Sequence, residues 1–146
     1  MKKTKVGLVQ INNSFAGQSY FPYSAGVLQG YVMKHAQTTG SYEFIDPLYK
    51  KEAMSVMLNK IAGCDILGFS TYVWNINISI ELARQVKELA PRTMIIFGGP
   101  KVPDKAEIFL RDNSWVDVAV HGEGEKVFLS LLEDGNKTGI GRSSGR

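Results

Sequence analysis

The sequence predicts an α/β domain of the doubly wound kind, a parallel sheet held between two layers of helices. Three observations carry this. The run Asp65-Ile-Leu-Gly-Phe69 is almost continuously apolar, as a strand covered on both faces must be. Ile76, Ile80, Ala83, Val86 and Ala90 then recur at three- and four-residue steps, the spacing of one helix face. A second apolar run, Met94-Ile-Ile-Phe97, stops at Gly98-Gly99-Pro100. Strand, amphipathic helix and strand in that order form a βαβ unit, with parallel strands and a right-handed crossover.

The rest of the chain repeats the alternation. Val6–Ile11 reads as the first strand, central and buried on both faces. Asn12 to Pro22, NNSFAGQSYFP, reads as a long polar and aromatic loop, and loops of that length in compact domains are usually functional or mobile. Ser24 can cap a helix with Val27, Leu28, Tyr31 and Val32 inward; Gly40 lies beyond its end. Tyr42–Ile45 is a short second strand, and Pro47 just after it suits an outer position. Lys51–Ala62 forms the next helix, with Met54, Met57, Leu58 and Ile61 inward and Gly63 as its stop.

After the βαβ unit, Asp104 and Glu107 make a capping-box pattern for a short helix buried through Phe109 and Leu110. Val116–Val120 is the fifth strand, His121-Gly-Glu-Gly-Glu125 its terminal loop. A last helix carries Val127, Phe128, Leu131 and Leu132. The stretch DGNKTGIGRSSGR has almost no apolar content. The expected domain is therefore residues 1–133, with 134–146 a flexible linker or an appended tail. With a helix after every strand, the economical architecture is a flavodoxin-like (Rossmann-like) three-layer α/β/α sandwich. Its five-stranded parallel sheet would run in the order 2-1-3-4-5. Ligands of such sheets bind beyond the carboxyl ends of the strands, at the switch in strand order. That rule brings Asn12–Pro22, Ser70-Thr71 and Gly98-Gly99 to one rim, with the switch between the first and third strands.

Composition narrows the function. A chain of 146 residues, 44% hydrophobic and 21% charged, is an ordinary globular domain. No apolar run approaches a membrane span, and MKKTKVGLVQI lacks a signal peptide's cleavage pattern, so no membrane and a cytoplasmic location are expected. The single cysteine, Cys64, excludes an internal disulfide or a multi-cysteine cluster within this chain. The isoelectric point near 9.0 suggests nucleic acid only superficially. Its excess sits largely in the tail, where Lys137, Arg142 and Arg146 face Asp134, and no basic helix or stripe exists.

Three segments at the expected rim resemble the cobalamin-binding domains of corrinoid enzymes. That family places Asp-x-His-x-x-Gly after the first strand, where this chain has Asn12-Asn13-Ser14-Phe15-Ala16-Gly17. It places Ser-x-Leu after the third, here Ser70-Thr71-Tyr72, and Gly-Gly after the fourth, here Gly98-Gly99. Through YFPYSAG, DILGFSTYVWN, IIFGGPKVP and HGEGE the chain resembles more fully the N-terminal domain of cobalamin-dependent radical SAM proteins, from Lys5 to Glu133. The resemblance implies cobalamin contacts at Asn12, Ser14, Gly17, Ser70, Thr71, Tyr72, Trp74, Gly98, Gly99, Pro100, Gly122 and Glu123. It implies no catalytic residue and no protein ligand to the metal. Ser14 stands where the family's cobalt-ligating histidine would be, and a hydroxyl is a poor cobalt ligand beside imidazole. Cobalamin bound base-off and without histidine follows, a state favouring the low-coordinate cobalt(I) that accepts a methyl group.

The resemblance also implies a radical SAM catalytic domain, normally C-terminal, that would hold S-adenosylmethionine and an iron–sulfur cluster. Such clusters need several thiolates, so this chain alone is not expected to catalyse and its parent is expected to be a methyltransferase. The chemistry of the rim agrees: a Cβ at Gly98 or Gly99 would hold a backbone-hugging ligand away. Ser70 and Thr71 can bond a buried polar group, and Tyr20, Phe21, Tyr72 and Trp74 offer rigid apolar area.

Plainer readings stand beside these. Gly98-Gly99-Pro100 is also a tight turn, Glu123 and Glu125 also suit a helix start, and Tyr72 and Trp74 also suit a core. His121 reads as a loop histidine, His35 as a partner of a helix C-terminus, and Cys64 as a packed thiol. A flavodoxin-like FMN domain is the rival, because Ser14-Phe-Ala-Gly-Gln-Ser19 partly resembles a phosphate loop. However, the helix begins only after Pro22, and Ala16 replaces a hydroxyl. A signalling receiver lacks its phosphoacceptor aspartate here. A cofactor-free interaction domain remains the third class.

Overall fold

The structure is a computed structural model that describes residues 3–12, 14–15, 18–19, 23–36, 39–103, 106–120 and 124–138. Strand β1 (Thr4–Asn12) is buried along nearly its whole length and forms the middle of the sheet. On one side it pairs in parallel with β6 (Ile66–Ser70), which pairs with β7 (Met94–Gly98), which pairs with β8 (Val118–Ala119). On its other side β1 pairs with two short strands, β4 (Tyr42–Phe44) and β5 (Leu48–Lys50). All pairings in this sheet are parallel, and the order β4-β1-β6-β7-β8 is the predicted 2-1-3-4-5.

The difference lies in the second strand, which is two pieces and raises the count to six. Pro47 between them has no backbone N–H to give a ladder, and β1 resumes pairing at Leu48 with a shift in register.

The helices divide into two layers. Helices α1 (Tyr23–His35) and α5 (Glu125–Thr138) cover one face, where Ala25, Val32, Phe128 and Leu132 pack on Val6, Leu8, Ile66, Ile96 and Val118. Helices α2 (Met54–Ile61), α3 (Ile76–Leu89) and α4 (Ala106–Asp112) cover the other. There Met57, Ile61, Leu82 and Val86 meet Val9, Leu67, Ile95 and Phe97. Alternate residues of β1 and β6 thus serve opposite cores, which is why those strands read as unbroken apolar runs.

Several expectations need correction. Helix α1 begins at Tyr23, so Ser24 lies inside its first turn and is not its cap. Val27 is more than one-third exposed, and the inward position belongs to Ala25. Phe109 and Leu110 are only partly buried, since α4 spans 7 residues and none is fully covered. Val127 is exposed at 42%. The segment after Asn12 is not all loop: Ser14–Phe15 (β2) and Gln18–Ser19 (β3) pair as an antiparallel ribbon. Helix α5 runs from Glu125 to Thr138. Asp104, His121, Tyr20 and Phe21 lie outside the described residues. Among the described residues no helix is long and apolar enough to cross a membrane.

Two buried polar links fix the far side of the sheet. The Asp117 carboxylate accepts from the Ile95 amide at 2.8 Å and from Lys87 Nζ at 2.6 Å, tying the start of β8 to β7 and α3. Thr93 donates its hydroxyl to the Cys64 carbonyl at 2.9 Å. Beside that link the Cys64 thiol is buried at the amino end of β6. Burial is the main cause that pushes it from an ordinary 9.0 up to about 11. Lys5 pulls the other way, while Asp65 and Glu43 add to the rise. A raised thiol pKa leaves stability intact below the unfolded value and removes it as pH climbs through the folded one. The melting temperature should therefore fall more steeply between pH 9.0 and about 11 in the native chain than in Cys64→Ala. Equal slopes would contradict this assignment.

Candidate functional site

At the carboxyl rim, a side chain bridges the ends of β1 and β6 among the described residues. Asn75, 1% exposed at the turn into α3, occupies the space between them. Its Nδ2 donates to the Ile11 carbonyl at 3.1 Å and the Ser70 carbonyl at 3.0 Å, and its Oδ1 accepts from the Tyr72 amide at 2.8 Å. Among the described residues, one side chain thus spans the predicted switch point. Next to it, Thr71 is fully buried. Both its amide, at 2.8 Å, and its hydroxyl, at 2.7 Å, donate to the Gly98 carbonyl.

The open site lies under the layer of α1 and α5 instead. A cavity of about 210 Å³ is floored by Gly68, Phe69 and Ser70 of β6, Ile96 and Gly98 of β7, Gly99, and Val120 just beyond β8. Ser24, Val27 and Leu28 of α1 form one wall, Gly124, Glu125 and Phe128 at the start of α5 the other, and Tyr72 the edge. The floor is low because Gly68 has no side chain: a Cβ there would come within 2.9 Å of the Phe128 ring. The Ser24 and Tyr72 hydroxyls meet at 2.7 Å, joining α1 to the turn after β6. The Tyr72 ring stacks on Trp74 with centroids 4.6 Å apart and planes 5° from parallel, and Trp74 remains 49% exposed.

The two glycines expected to admit a ligand have separate roles. Gly99 has φ +103°, and a Cβ on it would sit 2.6 Å from the Thr71 carbonyl oxygen. Its need for glycine is met wholly inside the chain. At Gly98 the nearest atom to an added Cβ is the Val120 oxygen at 4.0 Å, so glycine here leaves room rather than relieving a clash.

Of the residues singled out from sequence, Ser70, Tyr72, Gly98 and Gly99 line this cavity. Thr71, Trp74, Pro100 and Asn12 do not. Asn12 is buried, and its Oδ1 accepts from Gln10 Nε2 at 3.2 Å. Ser14 falls in β2, and Gly17, Gly122 and Glu123 lie outside the described residues. Sequence reasoning missed the α1 and α5 walls. One signal was present: a glycine inside an apolar strand, Gly68, marks close approach of a neighbour or a ligand.

A parallel, doubly wound domain with an apolar cavity at the carboxyl ends of its strands is built to bind a ligand. The chain belongs to the family of B12 binding domains, whose model matches residues 55–132. Cobalamin is the cofactor that this membership carries. The chain is 37% identical over 113 residues to 2-(S-pantetheinyl)-carbapenam-3-carboxylate methyltransferase of Streptantibioticus cattleyicolor. It is 35% identical over 113 residues to the cobalamin-dependent radical SAM methyltransferase TokK of Streptomyces tokunonensis. It is 26% identical over 117 residues to the anaerobic magnesium-protoporphyrin IX monomethyl ester cyclase of Cereibacter sphaeroides. These alignments take in 77% to 79% of this chain and only 17% to 19% of the relatives, so it spans less than a fifth of their length.

The glycine geometry yields a paired expectation. Gly98→Val should fold normally while filling the cavity, and lose at least about tenfold in cobalamin affinity, roughly 1.4 kcal/mol. Gly99→Val should cost about 2–4 kcal/mol of stability whether or not cobalamin is present, from the forced φ and the overlap with Thr71. Denaturant melts and absorbance titrations of both variants check it. Unchanged affinity in a folded Gly98→Val would contradict the role given to Gly98.

Proposed function

We propose that this chain is the cobalamin-holding domain of a radical SAM methyltransferase and that it binds the cofactor base-off, without a histidine ligand. The carrying observation is the cavity beneath α1 and α5. It has room for an aromatic base but falls far short of a whole corrin ring, which matches a ligand whose tail enters while its macrocycle stays at the rim. Gly98 leaves the space a Cβ would take, and Ser70, 8% exposed, brings a hydroxyl to the floor. The apolar walls suit the flat base, and the stacked Tyr72–Trp74 pair gives the corrin a rigid apolar neighbour at the open edge. The cobalt of a bound corrinoid supplies the methyl-transfer chemistry. The protein's own residues bury the tail and fix the ring's position.

Absence of a histidine ligand rests on Ser14 and Asn12 in the family motif, where histidine and aspartate would stand. His35 is the last of the 13 residues of α1 and packs against the Tyr31 ring, centroids 4.4 Å apart and planes tilted by 37°, so it serves the opposite end of the domain. The remaining site residues, Gly17, Thr71, Pro100, Gly122 and Glu123, are proposed as supports of the same rim. The FMN alternative is disfavoured because the segment resembling a phosphate loop contains the β2–β3 ribbon and does not lead directly into a helix N-terminus. S-adenosylmethionine and an iron–sulfur cluster belong to the catalytic domain proposed to follow this one. The proposed setting is the cytoplasm.

Electron paramagnetic resonance of the cobalt(II) form mixed with this chain tests the reading. Free cobalamin shows splitting from its own axial base nitrogen, and the bound form should lose it and gain none. A retained or new axial nitrogen splitting would contradict base-off, histidine-free binding.

A further inference from the structure

Residues 71–75 link β6 to α3, and two of them are apolar and open to solvent, Val73 at 74% and Trp74 at 49%. An exposed segment of this kind is free to sample several arrangements unless its backbone is tied. Here it is tied. The Tyr72 amide donates to Asn75 Oδ1 at 2.8 Å, and the Tyr72 carbonyl accepts from the amides of Asn75 at 3.1 Å and Ile76 at 3.0 Å. An asparagine at the start of a helix ordinarily caps it, accepting from an amide of the first turn. Asn75 stands in that place before α3 and makes no such bond. Its whole side chain is turned backward instead, Oδ1 onto Tyr72 and Nδ2 onto the carbonyls of Ile11 and Ser70.

We infer that Asn75 is a positioning residue for cobalamin, acting through Tyr72: it fixes the backbone from which the Tyr72–Trp74 stack projects. This role rests on the proposed place of the stack beside the corrin. Stacking alone is too weak to hold rings that are open to water, since each side chain keeps its rotors and water competes for the ring faces. The anchor must therefore lie below the loop, and Asn75 is 1% exposed there. Its two ends have separate tasks. Nδ2 joins the ends of β1 and β6 and serves stability, whereas Oδ1 holds the Tyr72 amide and serves the ligand. Rings ordered before the ligand arrives lose less freedom when it binds.

Two variants separate those tasks, Asn75→Asp and Asn75→Ala, each made in the full Trp115→Phe chain so that Trp74 is the only tryptophan. Aspartate keeps an acceptor for the Tyr72 amide but loses the ties to both carbonyls, whereas alanine keeps nothing. Denaturant melts should show both variants destabilised. Cobalamin affinity, read by absorbance titration, should fall about tenfold in Asn75→Ala and distinctly less in Asn75→Asp. Trp74 emission should shift to the red in Asn75→Ala and stay near its native position in Asn75→Asp. Equal losses of affinity in the two variants, or Trp74 emission that neither moves, would overturn the inference and leave Asn75 a strand tie only. Time-resolved fluorescence anisotropy of Trp74 in Trp115→Phe needs no change at Asn75, so it decides the matter even where both variants unfold. The ring should depolarise with the tumbling of the whole domain, and a decay dominated by fast local motion would overturn the inference. Failure of the native chain to bind cobalamin would overturn the cobalamin reading instead, while the fluorescence results still decide whether Asn75 holds the stack.

Discussion

The carboxyl rim of this domain depends on the side chain of Asn75. Its amide nitrogen reaches carbonyls near the ends of two neighbouring strands, at Ile11 and Ser70, and its oxygen holds the Tyr72 amide. The two carbonyl contacts are buried, and each carbonyl would lose about 1–3 kcal/mol if left without a partner. Only a short amide with both donor and acceptor ends does this work: aspartate could not donate to the carbonyls, and leucine could do neither. The consequence is positional. By filling the gap between β1 and β6, Asn75 shifts the open space one strand over, beneath α1 and α5, and sets the direction in which Tyr72 leaves the sheet.

The rest of the rim divides between locking and leaving room. Thr71, Gly98 and Gly99 form a lock, with the Thr71 amide and hydroxyl on the Gly98 carbonyl and the Gly99 backbone against Thr71. Ser70 and the Cα face of Gly98 leave room on the cavity side. Neighbours in sequence thus take opposite roles, because side chains alternate across a strand and its exit. A rigid floor with a free hydroxyl favours binding, since little ordering remains to be done when a ligand arrives.

How much of this was legible in the sequence follows from which signals are local. The parallel order was readable because both-face burial makes β1, β6 and β7 continuous apolar runs, and the helices between them keep their spacing. The split outer strand was not, since pairing of Leu48–Lys50 with β1 is a tertiary choice made around Pro47. At the site, glycines and hydroxyls after strands pointed to the carboxyl rim, where Ser70, Gly98 and Gly99 line the cavity. They could not separate Gly98 from Gly99 or Ser70 from Thr71, because that depends on which way each Cα–Cβ bond faces. Asn75 read as one polar residue before a helix, with no sign of the two carbonyls awaiting it. The α1 and α5 walls were missed because Val27 and Phe128 looked like ordinary helix-face residues. The ribbon at Ser14–Ser19 had a readable sign, two residues including Gly17 between short segments, of the kind hairpins use.

The central claim, that cobalamin enters between the sheet and the α1–α5 layer, has a direct test in amide hydrogen exchange of the full chain with and without cobalamin. The account predicts slower exchange on binding at Gly68–Tyr72, at Gly98, and in the first turns of α1 and α5, with α2 and α4 unchanged. Protection appearing in α2 or α4 while the α1–α5 side stays unaltered would contradict it.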